Sequence, residues 1–165
     1  MQDHRAKLHM EGIGTWTTEG TKGQAEFIGN EASPHTVPGN LWKFFEGGSK
    51  AKYIDPLNKF VLLDAQDEVI RADASTGNLK TVATLSRHKD QGLRHSRFIS
   101  SPVPVFIFEL GLVVFDSHGQ FQWSCNDLKL DHHFQEIKDG KILYSSEHRG
   151  KWVYDISTGQ RETVA

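Results

Sequence analysis

Asp155-Ile156-Ser157-Thr158-Gly159 repeats, almost letter for letter, the earlier stretch Asp73-Ala74-Ser75-Thr76-Gly77, and Asp116-Ser117-His118-Gly119 is the same turn one residue shorter. Each copy follows an apolar run: Val69-Ile70-Arg71-Ala72, Leu112-Val113-Val114-Phe115 and Trp152-Val153-Tyr154. Each then leads into an extended stretch of mixed polarity. An aspartate caps such a turn by accepting nearby backbone N–H groups, and the glycine supplies the positive φ that closes it. The three aspartates recur at intervals of about 40 residues, the length of a four-stranded antiparallel propeller blade.

Working outward from these turns, residues 51–165 divide into three units, 51–90, 91–130 and 131–165. Each has room for four strands, A to D. In the first, A is Lys52-Tyr53-Ile54, B is Phe60-Val61-Leu62-Leu63, C runs from Glu68 to Ala72 and D from Leu79 to Leu85. In the second, the same places fall to Arg97-Phe98-Ile99, Val105-Phe106-Ile107-Phe108, Leu112 to Phe115 and Gln120 to Trp123. In the third they fall to His133 to Ile137, Lys141 to Ser145, Lys151 to Asp155 and Arg161 to Val164. The B strands are nearly continuous in apolar residues, as strands covered on both faces should be. The first D strand alternates, as a half-wet outer strand should.

Residues 1–50 lack the repeated turn. Met1 to Met10 is polar and expected to fray. Gly14 to Thr18 and Gln24 to Ile28 read as a hairpin joined by Glu19 to Gly23. Glu31 to Gly39 reads as a loop, and Leu41-Trp42-Lys43-Phe44-Phe45 as a third strand stopped by Gly47-Gly48. The expectation is one all-β domain of propeller-like antiparallel blades, an open half-propeller of three to four blades in which residues 1–50 form irregular strands or a partial blade.

The Asp-x-x-x-Gly hairpin followed by an aromatic strand is clearest in Val113-Val114-Phe115-Asp116-Ser117-His118-Gly119-Gln120-Phe121-Gln122-Trp123. It resembles the blade repeat of quinoprotein-type β-propellers over about 51–165. The resemblance implies architecture and neither the quinone cofactor nor an activity. Three blades cannot close a ring of six to eight, and an open arc leaves sheet faces and edges for a partner to cover.

The chain has 165 residues, 37% hydrophobic, with 15 glycines, which suits a turn-rich globular β protein. A formal net charge of −2 supplies no basic field for nucleic acid. The longest apolar run, Val103 to Phe115, is broken by Pro104, Glu109 and Gly111 and is too short for a membrane span. No apolar leader follows Met1, and Cys125 is the single cysteine, so no internal disulfide forms; both fit a reducing cytoplasm.

Asp131-His132-His133 matches the signature of a manganese-binding phosphoesterase family. That motif needs partner aspartates on parallel strands of an α/β fold, and this chain reads as antiparallel β. His4, His9, His35, His88, His95, His118, His132, His133 and His148 never fall into a tight metal-ligand spacing with Cys or Glu. His88 and His95 share one inter-blade loop and His132 and His133 the next, so the two pairs could converge. A His-based or metal-dependent hydrolase or nuclease, drawing on His95, His132 and Lys129 or Arg94, is therefore the competing reading. No catalytic residue, metal or cofactor is assigned.

In blade geometry the B–C turns and the D–A loops share one end. The B–C turns carry Asp64, Asp67, Glu68, Glu109, Glu147 and Arg149; the D–A loops carry Lys89, Asp90, Arg94, His95, Asp127, Lys129 and Asp131, with His132 following. This acid-leaning end suits a basic protein partner. The expectation is a non-catalytic, cytoplasmic protein-binding module, sharpest as a bacterial immunity protein that neutralises a basic toxin domain, a nuclease. The partner-binding residues are Asp64, Asp67, Glu68, Arg94, His95, Glu109, Asp131, His132, Glu147 and Arg149. Direct binding to nucleic acid or membrane is not expected, and the protein is a monomer or homodimer. A self-associating propeller subunit is a further alternative.

Overall fold

The computed structural model describes residues 5–19, 23–30, 33–46, 51–100 and 102–164. They fall into two compact units, Met1–Leu85 and Ser86–Ala165. Each unit holds two antiparallel four-stranded sheets, and in each sheet the strands lie in chain order.

In the first unit, one sheet consists of β1 (Arg5–Met10), β2 (Gly14–Glu19), β3 (Gln24–Gly29) and β4 (His35–Pro38). A short helix α1 (Trp42–Glu46) leads to the second sheet, β5 (Lys52–Ile54), β6 (Phe60–Asp64), β7 (Glu68–Asp73) and β8 (Leu79–Thr84). In the second unit the third sheet is β9 (Ser96–Ser100), β10 (Pro104–Phe108), β11 (Gly111–Phe115) and β12 (Phe121–Cys125). The fourth is β13 (His132–Lys138), β14 (Lys141–Ser146), β15 (Gly150–Asp155) and β16 (Arg161–Val164). The protein is thus all-β and propeller-like, with four blade-like sheets. Among the described residues no helix is long and apolar enough to cross a membrane.

The repeated turns form as their residues dictate. Asp73 Oδ1 accepts the N–H groups of Ser75 and Thr76 at 2.9 and 3.0 Å, and Asp155 Oδ1 those of Ser157 and Thr158 at 2.9 and 3.1 Å. The shorter copy uses Asp116 Oδ1 to accept from His118 and Gln120. Gly77, Gly119 and Gly159 have φ values of 76°, 75° and 76°. The turns also join consecutive sheets within each unit. Trp16 Nε1 donates to Gly77 O at 2.9 Å, and Trp123 Nε1 to Ile156 O at 2.8 Å. A Cβ on Gly77 would fall 2.2 Å from the Phe27 ring, and one on Gly159 would fall 2.7 Å from Trp123. The aromatic residues that follow or face the turns therefore dock onto their glycines.

Residues before 51 depart from expectation at three places. Arg5–Met10 is a strand, because Leu8 and Met10 alternate into the core while Arg5 pairs with Glu19 across the hairpin. His35–Pro38, inside the expected loop, pairs with β3 as an edge strand, a place in a sheet that tolerates a proline without an N–H. Leu41 to Phe45 was expected to be extended, but Trp42–Glu46 is helical. Buried Leu41 and Phe44 sit three apart, a helical spacing, and Asn40 Oδ1 accepts the Trp42 N–H. The Gly14–Thr18 and Gln24–Ile28 hairpin forms as β2 and β3. Residues 1–4, most of the Glu19–Gly23 turn, Glu31-Ala32 and Gly47-Gly48 lie outside the described residues.

Candidate functional site: the converging loops of the second unit

At one end of the second unit, the turn between β10 and β11 is built on Glu109. Its carboxylate lies in an otherwise apolar run and is fully buried, so it requires a partner. Arg87, 3% exposed, provides it: Nε lies 2.9 Å from both carboxylate oxygens and Nη2 lies 2.7 Å from Oε1. Glu109 also accepts the His88 N–H at 3.0 Å and the His95 N–H at 3.3 Å. Burial pushes this carboxyl up, but the hydrogen bonds from Arg87 and the His88 N–H outweigh it and hold it below its ordinary value.

This one anion organises the whole loop from Arg87 to His95. Arg94 Nε donates to His88 O at 2.7 Å, and Asp90 Oδ1 accepts the Gly92 N–H before a single 3-10 turn, Gln91–Leu93. What the loop offers to solvent is the run Lys89 to Leu93, with its apolar Leu93, and His95, while Arg94 is half-buried.

The loop between β12 and β13 is tied to the same turn. Leu128 is buried, and its N–H donates to Leu110 O at 3.0 Å. Ser146, at the end of β14, donates from Oγ to Asp131 Oδ2 at 2.7 Å and accepts the N–H groups of His148 and Arg149. Arg149 Nη2 stands 3.5 Å from Asp131 Oδ1. The Ser146 hydrogen bond, helped by Arg149 and His148, holds the Asp131 carboxyl below its usual range. His132 is buried, with Nδ1 against Lys129 O. Burial pushes its pKa down, and His95, Arg149 and His133 add to the effect.

Within the second unit, then, the B–C turns and D–A loops meet at one end. The accessible composition differs from expectation. Glu109 and His132 are buried and used inside the fold, and so is Asp64 in the first unit, where its Oδ1 accepts the Gln66 N–H at 3.1 Å. These three form no part of an accessible face. Asp67, His95 and Glu147 are exposed, and Glu68, Arg94, Asp131 and Arg149 are half-buried. In the first unit Glu68 lines a cleft of about 220 Å³ together with Lys43 and Lys80. The end of the second unit is therefore mixed in charge, not acidic.

Arg87 went unrecognised in the sequence, although a lone glutamate inside Pro104 to Phe115 signals that a buried cation must exist somewhere. Among the described residues no group of three or more His, Cys, Asp or Glu is placed to hold a metal ion. Cys125 is half-buried, with Sγ 2.8 Å from Asp127 Oδ1; burial, reinforced by that carboxylate, pushes the thiol pKa up.

No protein-family model matches the chain, and no curated protein is similar to it. Solved structures show a weak likeness. The computationally designed Ika8 protein matches 98% of this chain and 48% of its own at 16% identity, with a TM-score of 0.42. The dihydro-heme d1 dehydrogenase NirN matches 92% of this chain and 35% of its own at 10% identity, with a TM-score of 0.38. PorZ, a surface component of the type-IX secretion system of Porphyromonas gingivalis, matches 99% and 28% at 11% identity, with a TM-score of 0.28. The chain spans half or less of the length of each, and likenesses this weak carry no inference about activity.

Proposed function

We propose that the protein is a non-catalytic protein-binding module that presents the loop end of its second unit to a protein partner. The observation that carries this reading is the Glu109–Arg87 pair, which fixes loop 87–95 and leaves Lys89, Arg94 and His95 on a pre-ordered surface. A loop ordered before binding loses less freedom on association. Mixed charges from Asp131, Glu147 and Arg149 favour recognition by complementary pairs. The sharper form of the reading is a cytoplasmic bacterial immunity protein that neutralises a nuclease toxin domain. It rests on small size, mild acidity and quinoprotein-like blade repeats used as a scaffold without their cofactor.

Co-expression with the product of the neighbouring upstream gene tests it, scored by growth and co-purification. Rescue of a toxic neighbour in a one-to-one complex is the expected outcome. A harmless neighbour that fails to co-purify removes the immunity reading.

A further inference from the structure

Buried polar atoms in folded proteins almost always have a hydrogen-bond partner, so a cluster of exceptions calls for an explanation, a bound ion among them. Among the described residues, the buried side-chain atoms that make no hydrogen bond are Thr18 Oγ1 and five atoms from four residues in and beside the fourth sheet. Those five are Asp131 Oδ1, Tyr144 OH, Arg149 Nε, Arg149 Nη2 and Trp152 Nε1. The four residues pack on one another. Arg149 lies over the Trp152 ring at 5.1 Å, and Tyr144 stacks on Trp152 at 6.0 Å with an interplanar angle of 13°. Tyr144 and Trp152 are 0% and 1% exposed.

Four of the five atoms are donors or can donate. Nε and Nη2 form one edge of the Arg149 guanidinium, and a guanidinium edge grips a carboxylate or phosphate through two parallel N–H···O bonds. Asp131, the acid paired with it, stands at 3.5 Å and directs its better hydrogen bond to Ser146 instead. Arg149 is 30% exposed as a side chain, so the residue reaches the surface although this edge is covered.

We propose that the Nε–Nη2 edge of Arg149 is a receptor for an oxyanion, a carboxylate or phosphate group, that enters by displacing Asp131. The site does not depend on the partner being a protein, since a free acid and an acidic side chain present the same oxygens.

The test titrates inorganic phosphate and, separately, acetate into the 15N-labelled protein while following the Arg149 Nε–H resonance. Saturable shifts with a Kd in the low millimolar range, about the strength of a single charge-assisted contact, are expected. Arg149→Lys, which keeps the cation over Trp152 and removes the fork, should weaken binding about 10-fold. Asp131→Asn, which keeps the oxygen facing Ser146 and removes the competing charge, should tighten it several-fold. A preference for phosphate or for acetate names the ligand class. The proposal is overturned if neither anion shifts Arg149 saturably, or if Asp131→Asn leaves the affinity unchanged.

Discussion

The first and last sheets differ from the middle two in how their strands bury side chains. β6, β10 and β11 are buried along their whole length, whereas β2, β3, β14 and β15 alternate or nearly so. In the fourth sheet Ile142, Tyr144, Trp152 and Tyr154 pack into the core of the second unit, while Lys141, Leu143, Ser145 and Val153 lie on the other, half-exposed face. In the first sheet Trp16 and Phe27 are buried, and Thr15, Thr17 and Glu26 lie opposite. One fold unit therefore uses two sequence patterns. A strand covered on both faces reads as a continuous apolar run, and a strand with one wet face reads as period two.

Substitutions sharpen this contrast. Val114 and Val153 occupy the same position, two residues before the turn aspartate, but Val114 is 1% exposed and Val153 is half-buried. Val114→Lys should cost more than about 4 kcal/mol, because it buries an unpaired charge. Glu109→Ala should cost about 3–4 kcal/mol in chemical denaturation, since it strands the Arg87 guanidinium in the interior.

Gly77→Ala should cost about 3 kcal/mol by adding a clash with Phe27 to the strain of a positive φ. Gly140→Ala, at φ +72° with open space around it, should cost only about 1 kcal/mol. Equal losses at the two glycines would show that aromatic docking onto the turn contributes nothing.

The turn aspartates also make stability depend on pH. Burial raises the Asp73 pKa, but the hydrogen bonds from Thr76 and Ser75 win and bring it down to about 2. Its folded pKa lies below its unfolded one. Its contribution is therefore full above the ordinary carboxylate range and lost as pH falls from about 4 towards 2. Asp73→Asn should flatten that acid limb in thermal melts. The smallest effect belongs to Val153→Lys, within about 0.5 kcal/mol of wild type, as befits a face already bordered by lysines. A loss there as large as at Val114 would mean that the outer face of the last sheet is covered.

The three repeated turns, with continuous B strands in the middle two sheets, made the last three sheets legible, because capping aspartates and turn glycines act locally. The first sheet was harder to read. It lacks the turn, its β4 contains Pro38, and Leu41 to Phe45 has an apolar spacing that serves strand or helix until Asn40 is recognised as a cap. The loop end was legible in place but not in charge. Sequence position put Asp64, Glu109 and His132 among the loop residues, and only packing shows that their side chains turn inward. Arg87 and Glu109, 22 residues apart, meet through tertiary structure that no local pattern encodes.

The central claim is that the loop end of the second unit binds the partner, and isothermal titration against the co-purified upstream gene product tests it most directly. Lys89→Ala and Glu147→Ala should each weaken the complex about 10-fold or more while leaving the melting temperature unchanged, and Val153→Lys on the outer face should leave affinity at wild-type level. If the two loop variants bind as wild type does and Val153→Lys abolishes the complex, the partner sits on the sheet face and the account of the loops is wrong.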